Sequence, residues 1–272
     1  MELQGELLLV GAGKMGGAML SGWLDRGLAP TQVVVQDPGP PPEIRALLEG
    51  HCIAWTPSPP AMANPPALIV MSVKPQVMDA VFPPVARLAG PQTLVLSIAA
   101  GRTIAGFERH LPAGTAVIRA MPNTPAAIGR GITVCCPNAH VAPAQRATTE
   151  ALLSAVGEVA WVEDEGLIDP VTAVSGSGPA YVFLLAECLA EAGVRAGLDP
   201  ALARKLADAT VSGSGELLRQ AGEDAATLRK NVTSPGGTTA AALAVLMGEG
   251  GLQPLLTKAV AEATQRSREL AD

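Results

Sequence analysis

The sequence predicts an α/β protein, with a doubly wound parallel sheet in its first part and an all-helical domain after it. Three observations lead to this. Short apolar runs alternate with helix-like segments in the first part of the chain, and the strand-like runs stop after about residue 163. A glycine-rich turn at residues 11–16 joins the first apolar run to a helical stripe. We therefore expect two domains, residues 1–163 and residues 164–272.

Several of the apolar runs in the first part are continuous rather than alternating. Continuous apolarity is typical of strands that are buried on both faces of a sheet. Strand–helix alternation favours a parallel sheet with right-handed crossover connections. The predicted strands are residues 7–10, 33–35, 68–73, 94–98, 116–120, 132–136 and 159–162.

The segment after the glycine-rich turn has the apolar periodicity of a helix. Met15, Ala18, Met19 and Trp23 fall at i, i+3, i+4 and i+8, and Gly27 follows as the expected end of the helix. This stripe predicts a helix that packs on the sheet.

Helix-start signals dominate the second part of the chain. Asp169, Asp199 and Asp224 each precede a proline or an alanine, as an N-cap precedes the first helical turn. The predicted helices are residues 167–174, 179–196, 200–221, 225–232, 238–248 and 252–270.

The composition restricts the class of protein. With 272 residues, 48% of them apolar and 3% aromatic, the chain can build a large core from aliphatic side chains. A net charge of −6 without a Lys/Arg run argues against nucleic acid or an anionic membrane as a partner. No uninterrupted apolar run reaches the ~18 residues of a membrane span, and no basic segment precedes the first strand. We expect a cytoplasmic protein.

The cysteines and histidines show no metal-ligand spacing. We expect Cys52, Cys135, Cys136 and Cys188 to be small buried hydrophobic residues in a reducing compartment. The sequence therefore predicts no metal site.

The glycine-rich turn has the spacing of a dinucleotide-binding motif. Gly11, Gly13 and Gly16 satisfy GxGxxG, follow a predicted strand and open a predicted helix, which is the context that the motif requires. The glycines and the backbone of Lys14 and Met15 are expected to approach a pyrophosphate. The alternative is a glycine-rich turn without a ligand.

Asp37 lies at the end of the second predicted strand. A carboxylate at this position usually accepts hydrogen bonds from an unphosphorylated ribose and repels a 2′-phosphate, so Asp37 favours NADH over NADPH. The alternative is that Asp37 only starts an Asp-Pro-Gly turn. Both interpretations stay open on the sequence.

Loops after later strands are expected at the same edge of the sheet. Parallel strands place their carboxyl ends together, so Val73, Lys74, Pro75 and Ala100 are predicted to line the cofactor crevice. For Lys74 the spacing alone favours a solvated charge at that edge.

Two turns in the helical part are rich in small and hydroxyl residues. Residues 175–181 and 233–239 each lead directly into a helix, whose first N–H groups attract a small anion. Ser177 and Ser234 in these turns are predicted to contact a carboxylate substrate. An ordinary interhelical turn is the alternative for each.

With these motifs the chain resembles pyrroline-5-carboxylate reductase, an enzyme of proline biosynthesis. The Ser-Gly-Ser-Gly-Pro-Ala-Tyr and Ser-Pro-Gly-Gly-Thr-Thr segments carry the resemblance more specifically than GxGxxG does. The matching segments are collinear and are residues 11–16, 73–75, 99–101, 119–125, 175–181 and 231–239.

The resemblance implies a Rossmann-like domain, a helical dimerisation domain and a homodimer or larger homo-oligomer. It implies reduction of L-1-pyrroline-5-carboxylate to L-proline with NADPH or NADH. It places Asn231 and Lys74 near the cofactor, and Gly237, Thr238 and Thr239 at the substrate carboxylate and ring nitrogen.

The hypothesis for the chemistry assigns little work to side chains. A protonated C=N bond is already electrophilic, so orientation supplies much of the rate, and Thr239 is the one hydroxyl assigned to the imine nitrogen.

Two other functions stay open. One is a related 2- or 3-hydroxyacid dehydrogenase or imine reductase, for which only Lys230 suggests a proton donor. The other is a non-enzymatic dinucleotide-sensing oligomer.

Overall fold

The computed structural model describes residues 3–270. The chain forms two compact units, Met1–Gly176 together with Ala263–Asp272, and Ser177–Glu262. The end of the last helix therefore belongs by packing to the unit that contains the sheet. A functional division at residues 163 and 164 stays a prediction.

The first unit contains one eight-stranded sheet in the order β3-β2-β1-β4-β5-β6-β7-β8. All seven predicted strands are present, so the predicted fold class is confirmed. The sequence missed the third strand because it is only three residues long and its burial is incomplete. The strands are β1 (Leu7–Val10), β2 (Val33–Gln36), β3 (Ala54–Thr56), β4 (Leu68–Met71), β5 (Leu94–Ser97), β6 (Ala116–Met121), β7 (Gly131–Pro137) and β8 (Gly157–Trp161).

One strand pairing departs from the predicted parallel sheet. β7 runs antiparallel to β6, and β8 runs parallel to β7. The connection from Met121 to Gly131 contains a single 3₁₀ turn, Thr124–Ile128. A parallel crossover needs about a dozen residues or more, so this short connection forces the chain to reverse.

Helices cover both faces of the sheet. Alternate β1 residues enter two separate cores: Leu7 and Leu9 join one, and Leu8 and Val10 join the other. The predicted stripe of the first helix packs in the former core, where the Trp23 Nε1–H donates to the Leu152 carbonyl oxygen at 3.0 Å. The helices of this unit are α1 (Lys14–Asp25), α2 (Pro42–Gly50), α3 (Met78–Ala86), α4 (Ile104–Glu108), α5 (Pro143–Leu153) and α6 (Ile168–Val171).

The remaining helices begin largely where the sequence predicts. The Asp199 carboxylate accepts the N–H groups of Ala201 and Leu202, and the Asp224 carboxylate accepts that of Thr227. Both aspartates are therefore N-caps, as predicted. The helices are α7 (Gly178–Arg195), α8 (Pro200–Ala221), α9 (Ala225–Asn231), α10 (Thr238–Leu246) and α11 (Leu252–Leu270).

The segment before α7 differs from the single helix predicted for residues 167–174. α6 is one turn long and is followed by a π-helical turn, Thr172–Gly176. Asp169 is not an N-cap, because it lies within α6 and its carboxylate accepts the Ser267 hydroxyl at 2.7 Å. This bond joins two residues 98 positions apart, which local sequence does not reveal.

The helical unit exposes many large apolar side chains. On α7, Phe183 is 66% exposed and Leu184 is 56% exposed, and no residue of that helix is buried. An apolar surface of this kind usually marks an interaction site. By length and composition alone, the stretch Glu165–Arg195 would suffice to cross a membrane. That is weak evidence, because the core helix of a soluble protein meets the same criteria.

The four cysteines are free, and they differ in their exposure to solvent. Cys135 and Cys136 are buried on β7, as predicted, and burial raises their thiol pKa values to about 12 and about 11. These thiols therefore stay protonated at neutral pH. The prediction was wrong for Cys52 and Cys188, which are exposed.

Candidate active site

The carboxyl ends of the parallel strands form one edge of the sheet. Gly11, Asp37, Ser72 and Ile98 are the first residues after β1, β2, β4 and β5. The strand order reverses at β1, which has β2 on one side and β4 on the other. Ligands of doubly wound sheets bind at such a switch point. The structure thus brings together the loops that hold the predicted cofactor residues of the first unit.

The three motif glycines have different surroundings. Gly11 has φ +92°, and a Cβ there would lie 2.9 Å from the Ser72 carbonyl. A Cβ on Gly16 would overlap the Gly11 carbonyl oxygen and lie 2.6 Å from Ser72 Oγ. A Cβ on Gly13 would meet nothing within 4 Å. Packing therefore explains the first and third glycines, whereas the second leaves open space beside the backbone.

The open face at Gly13 coincides with the start of α1. Gly13 is the N-cap of α1 and provides no side-chain hydrogen bond. Lys14 is exposed and Met15 is partly buried against the core. Free N–H groups and an unobstructed glycine are what a pyrophosphate requires, so this turn fits a dinucleotide.

Asp37 makes two hydrogen bonds to backbone groups. Its Oδ2 accepts the Ala12 N–H at 2.7 Å, and its Oδ1 accepts the Gly39 N–H at 2.8 Å. Asp37 therefore forms the Asp-Pro-Gly turn and also fastens the glycine-rich turn to the end of β2. A carboxylate has further lone pairs, so a contact with a ribose stays a prediction.

The loops after β4 and β5 present the other predicted cofactor residues of this unit. Val73 is partly buried against the core, whereas Lys74 and Ala100 are exposed. Pro75 begins a 3₁₀ turn, and its carbonyl oxygen accepts a hydrogen bond from Arg102 Nη2 at 2.8 Å. The two loops are thus joined by a side chain that the sequence did not single out.

A partly buried ion pair lies near these loops. Arg119 on β6 is 3% exposed, and its Nη1 donates to Glu165 Oε1 at 2.9 Å. The same oxygen accepts the Ile104 N–H at 2.9 Å. The sequence offered one signal for this pair, a charged residue inside the apolar run Ala-Val-Ile-Arg-Ala-Met.

In the helical unit, the predicted substrate turn leaves a helix start uncapped. Gly237 is the N-cap of α10 without a side-chain hydrogen bond, and Gly236 has φ +71°. The first helical bond runs from the Ala241 N–H to the Gly237 carbonyl oxygen. The N–H groups of Thr238 and Thr239 therefore have no acceptor within their own helix.

The hydroxyl groups around this turn differ in their use. The Thr233 hydroxyl donates to the Arg229 carbonyl oxygen at 2.6 Å and so supports the preceding helix. Thr239 is partly exposed, and Ser234 and Thr238 are exposed. Ser177 is the N-cap of α7 and, like Gly237 at α10, makes no side-chain capping bond.

Asn231 ends α9, and its Nδ2 donates to Glu223 Oε2 at 3.1 Å. Sequence analysis missed Glu223, which precedes the N-cap of that helix. Within residues 3–270, no group of three or more His, Cys, Asp or Glu side chains is arranged to hold a metal ion.

The sheet with its glycine-rich turn and the helical unit with its uncapped helix start define a dinucleotide-dependent oxidoreductase with a helical second domain. Residues 165–270 match the family model for pyrroline-5-carboxylate reductase dimerisation. Residues 6–101 match the model for NADP oxidoreductase, coenzyme F420-dependent.

Individual proteins match over almost the whole chain. A pyrroline-5-carboxylate reductase of Synechocystis sp. is 42% identical, with 97% of this chain and 98% of the relative covered. The solved structure of a pyrroline-5-carboxylate reductase from Coxiella burnetii is 32% identical, with a TM-score of 0.91 over 99% of this chain and 100% of the other. A Plasmodium falciparum pyrroline carboxylate reductase with NADP bound is 27% identical, with a TM-score of 0.82 over 99% of each chain.

The chain belongs to the pyrroline-5-carboxylate reductase family. The resemblance given by its motifs is thereby confirmed. Membership makes it an oxidoreductase that uses a nicotinamide dinucleotide and carries a dimerisation domain. The comparisons give no support to the hydroxyacid dehydrogenase or to the non-enzymatic sensor.

Two glycine substitutions should separate folding from cofactor binding. We expect Gly16→Ala to destabilise the fold by about 1–3 kcal/mol, because its methyl group meets backbone and Ser72. We expect Gly13→Ala to leave the melting temperature unchanged and to weaken NADH or NADPH binding about tenfold, because the methyl group would occupy the space predicted for the pyrophosphate. Thermal denaturation and fluorescence titration with reduced cofactor measure the two effects. Wild-type cofactor affinity in Gly13→Ala would contradict this use of the turn.

Proposed function

We propose that this protein reduces L-1-pyrroline-5-carboxylate to L-proline with a reduced nicotinamide cofactor. One observation carries the proposal: this member of the family has two helix starts with free N–H groups, one suited to a dinucleotide and one to a small carboxylate. One follows the unobstructed Gly13 at the switch point of the sheet. The other follows Gly237 in the helical unit and has hydroxyl residues beside it.

The proposed cofactor site lies at the carboxyl edge of the sheet. The backbone N–H groups at the start of α1 hold the pyrophosphate, and the half-buried Asp37 faces the adenine ribose. The loops after β4 and β5 line the nicotinamide half. The residues assigned to the cofactor are Gly11, Gly13, Lys14, Met15, Gly16, Asp37, Val73, Lys74, Pro75, Ala100 and Asn231.

The proposed substrate site is the start of α10, in this chain or in a second copy. The N–H groups of Thr238 and Thr239 donate to the substrate carboxylate, and Gly237 lets it approach closely because it has no side chain. A partly buried anion at a helix start gains up to ~2 kcal/mol. Ser177 and Ser234 are assigned to further polar contacts with the substrate.

The reaction needs one hydride and one proton. When bound, the cofactor supplies the hydride to C5 of the ring, and the imine nitrogen carries the proton, so the product is a secondary amine. The protein's own contribution is to hold the carboxylate and to orient the ring, with the Thr239 hydroxyl in contact with the nitrogen. Thr239 is therefore the proposed catalytic residue.

We also propose that a second copy of the chain, and not a membrane, covers the apolar surface of the helical unit. Exposed leucines lie on α7, α8 and α11 of a segment that matches a dimerisation family. Subunit interfaces that are obligate are more apolar than other surfaces. The proposed assembly is a homodimer or larger homo-oligomer in the cytoplasm, and the net charge of −6 disfavours an anionic membrane surface as the partner.

A substrate panel tests the function directly. We expect oxidation of reduced cofactor with pyrroline-5-carboxylate, and at most trace turnover with 2-oxoacids or 3-oxoacids, because the residues assigned to the substrate include no lysine, histidine or carboxylic acid to protonate a neutral carbonyl. The disappearance of reduced nicotinamide absorbance is measured with NADH and with NADPH. Turnover of an oxoacid alone would favour the dehydrogenase, and cofactor binding without any turnover would favour the sensor.

The Thr239 hydroxyl is tested by a pair of substitutions. We expect Thr239→Ala to lower kcat/KM for the imine about 10- to 100-fold, the range expected when a hydrogen bond to a charged group is lost. Thr239→Ser keeps the hydroxyl and should keep most of the activity. Thr233→Ala is a matched control, because its hydroxyl is bonded to Arg229. Equal kcat/KM in Thr239→Ala and wild type would refute the assignment.

Asp37 is proposed to make the enzyme prefer NADH. We expect Asp37→Asn to raise the ratio of kcat/KM for NADPH to that for NADH about tenfold, because it removes the charge that repels a 2′-phosphate. The asparagine oxygen can still accept the Ala12 N–H, so the glycine-rich turn stays fastened. Steady-state kinetics with both cofactors measure the ratio. A wild-type preference for NADPH, or an unchanged ratio in the variant, would rule out this role.

A further inference from the structure

We propose that Arg102 is a positioning residue for the cofactor, because its guanidinium fastens the loop after β5 to the loop after β4. The inference rests on the proposed function, which assigns Lys74, Pro75 and Ala100 to the cofactor. Arg102 itself lies two residues beyond Ala100 and is not assigned to any ligand.

The contacts of Arg102 join three segments. Nη2 donates to the Pro75 carbonyl oxygen at 2.8 Å, in the turn that follows Lys74. Nη1 and Nη2 also donate to the two Asp79 carboxylate oxygens, at 2.7 Å and 2.9 Å. The planar guanidinium thus spans the loop after β5, the 3₁₀ turn after β4 and the first turn of α3.

Partial burial strengthens this arrangement. The Arg102 side chain is 16% exposed, whereas that of Asp79 is 78% exposed. The carboxylate neutralises a cation that lies mostly out of solvent, and the bidentate geometry fixes the plane of the guanidinium. The bond to Pro75 is directed by that plane, so Asp79 orients the contact between the two loops.

The loop after β5 is held on its other sides as well. Gly101 has φ +70°, and a Cβ there would lie 2.8 Å from the Leu270 carbonyl oxygen. The Ile104 N–H donates to Glu165, whose carboxylate also binds the buried Arg119. Residues 102 and 104 are therefore held by hydrogen bonds and Gly101 packs closely against Leu270, while Ala100 is exposed at the edge of the sheet.

This arrangement has a specific energetic consequence. A loop that is already ordered loses less conformational entropy when a ligand binds. Arg102 should therefore act on cofactor affinity, because it orders both proposed cofactor loops before binding. It should not act on the chemical step at saturating cofactor, because it is not among the residues proposed to hold the substrate or the reacting atoms.

The test compares Arg102→Ala with three other variants of the full-length protein. We expect Arg102→Ala to raise Kd for NADH and NADPH about three- to tenfold, with kcat at saturating cofactor and KM for the imine within about twofold of wild type. Arg102→Lys should recover only part of the affinity. It keeps the positive charge, but one ammonium cannot reproduce the two parallel bonds of the guanidinium to Asp79 together with the bond to Pro75. Asp79→Asn should lie between wild type and Arg102→Ala, since the bond to Pro75 remains.

Arg109→Ala is the matched control. Arg109 lines the same surface pocket as Arg102, but its Nε donates at 3.4 Å to the Ala105 carbonyl oxygen of its own helix, so its removal should leave Kd unchanged. An Arg102→Ala variant with a lower melting temperature but wild-type cofactor Kd would overturn the proposal, as would a loss confined to kcat.

Fluorescence titration with reduced cofactor needs no imine. A protein that binds cofactor without reducing the imine would therefore refute the proposed function and leave the Arg102 comparison valid. A wild-type protein that binds neither dinucleotide would overturn both.

Discussion

The close packing of the glycine-rich turn against the loop after β4 is the constraint on which the rest of the first unit depends. Gly11 and Gly16 lie so near Ser72 that neither has room for a methyl group. Within this packed turn α1 begins after Gly13, and its first N–H groups have no acceptor within the helix. A Cβ on Gly13, between them, would meet nothing within 4 Å, and this open space is where we propose that the pyrophosphate binds.

Charged side chains fix the remaining loops by bonding to backbone groups. Asp37 holds the glycine-rich turn through Ala12, Glu165 holds the Ile104 N–H, and Arg102 holds the Pro75 carbonyl oxygen. In each case a side chain from one loop satisfies a polar backbone group of another. Because each bond crosses between elements, the geometry of the edge depends on several loops at once, and no single loop is preorganised alone.

The helical unit differs from the first unit in its exposed apolar surface. Its helices expose leucines and a phenylalanine that a monomer would leave in water, and its segment matches a dimerisation family. The uncapped start of α10 adds free N–H groups in the same unit. Because Thr238 is exposed, these N–H groups are accessible to a small anionic ligand.

The sequence by itself determined the features that depend on neighbouring residues. Continuous apolar runs predicted the buried strands, Asp199 and Asp224 predicted the helix starts, and the motif glycines predicted the turn after β1, because strand burial, capping and tight turns are local. Only the tertiary structure decided the antiparallel β7, the short β3, the Asp37–Ala12 bond across 25 residues and the Arg119–Glu165 pair across 46. Those features depend on partners that are brought together by folding, and no local pattern specifies a partner at such a distance.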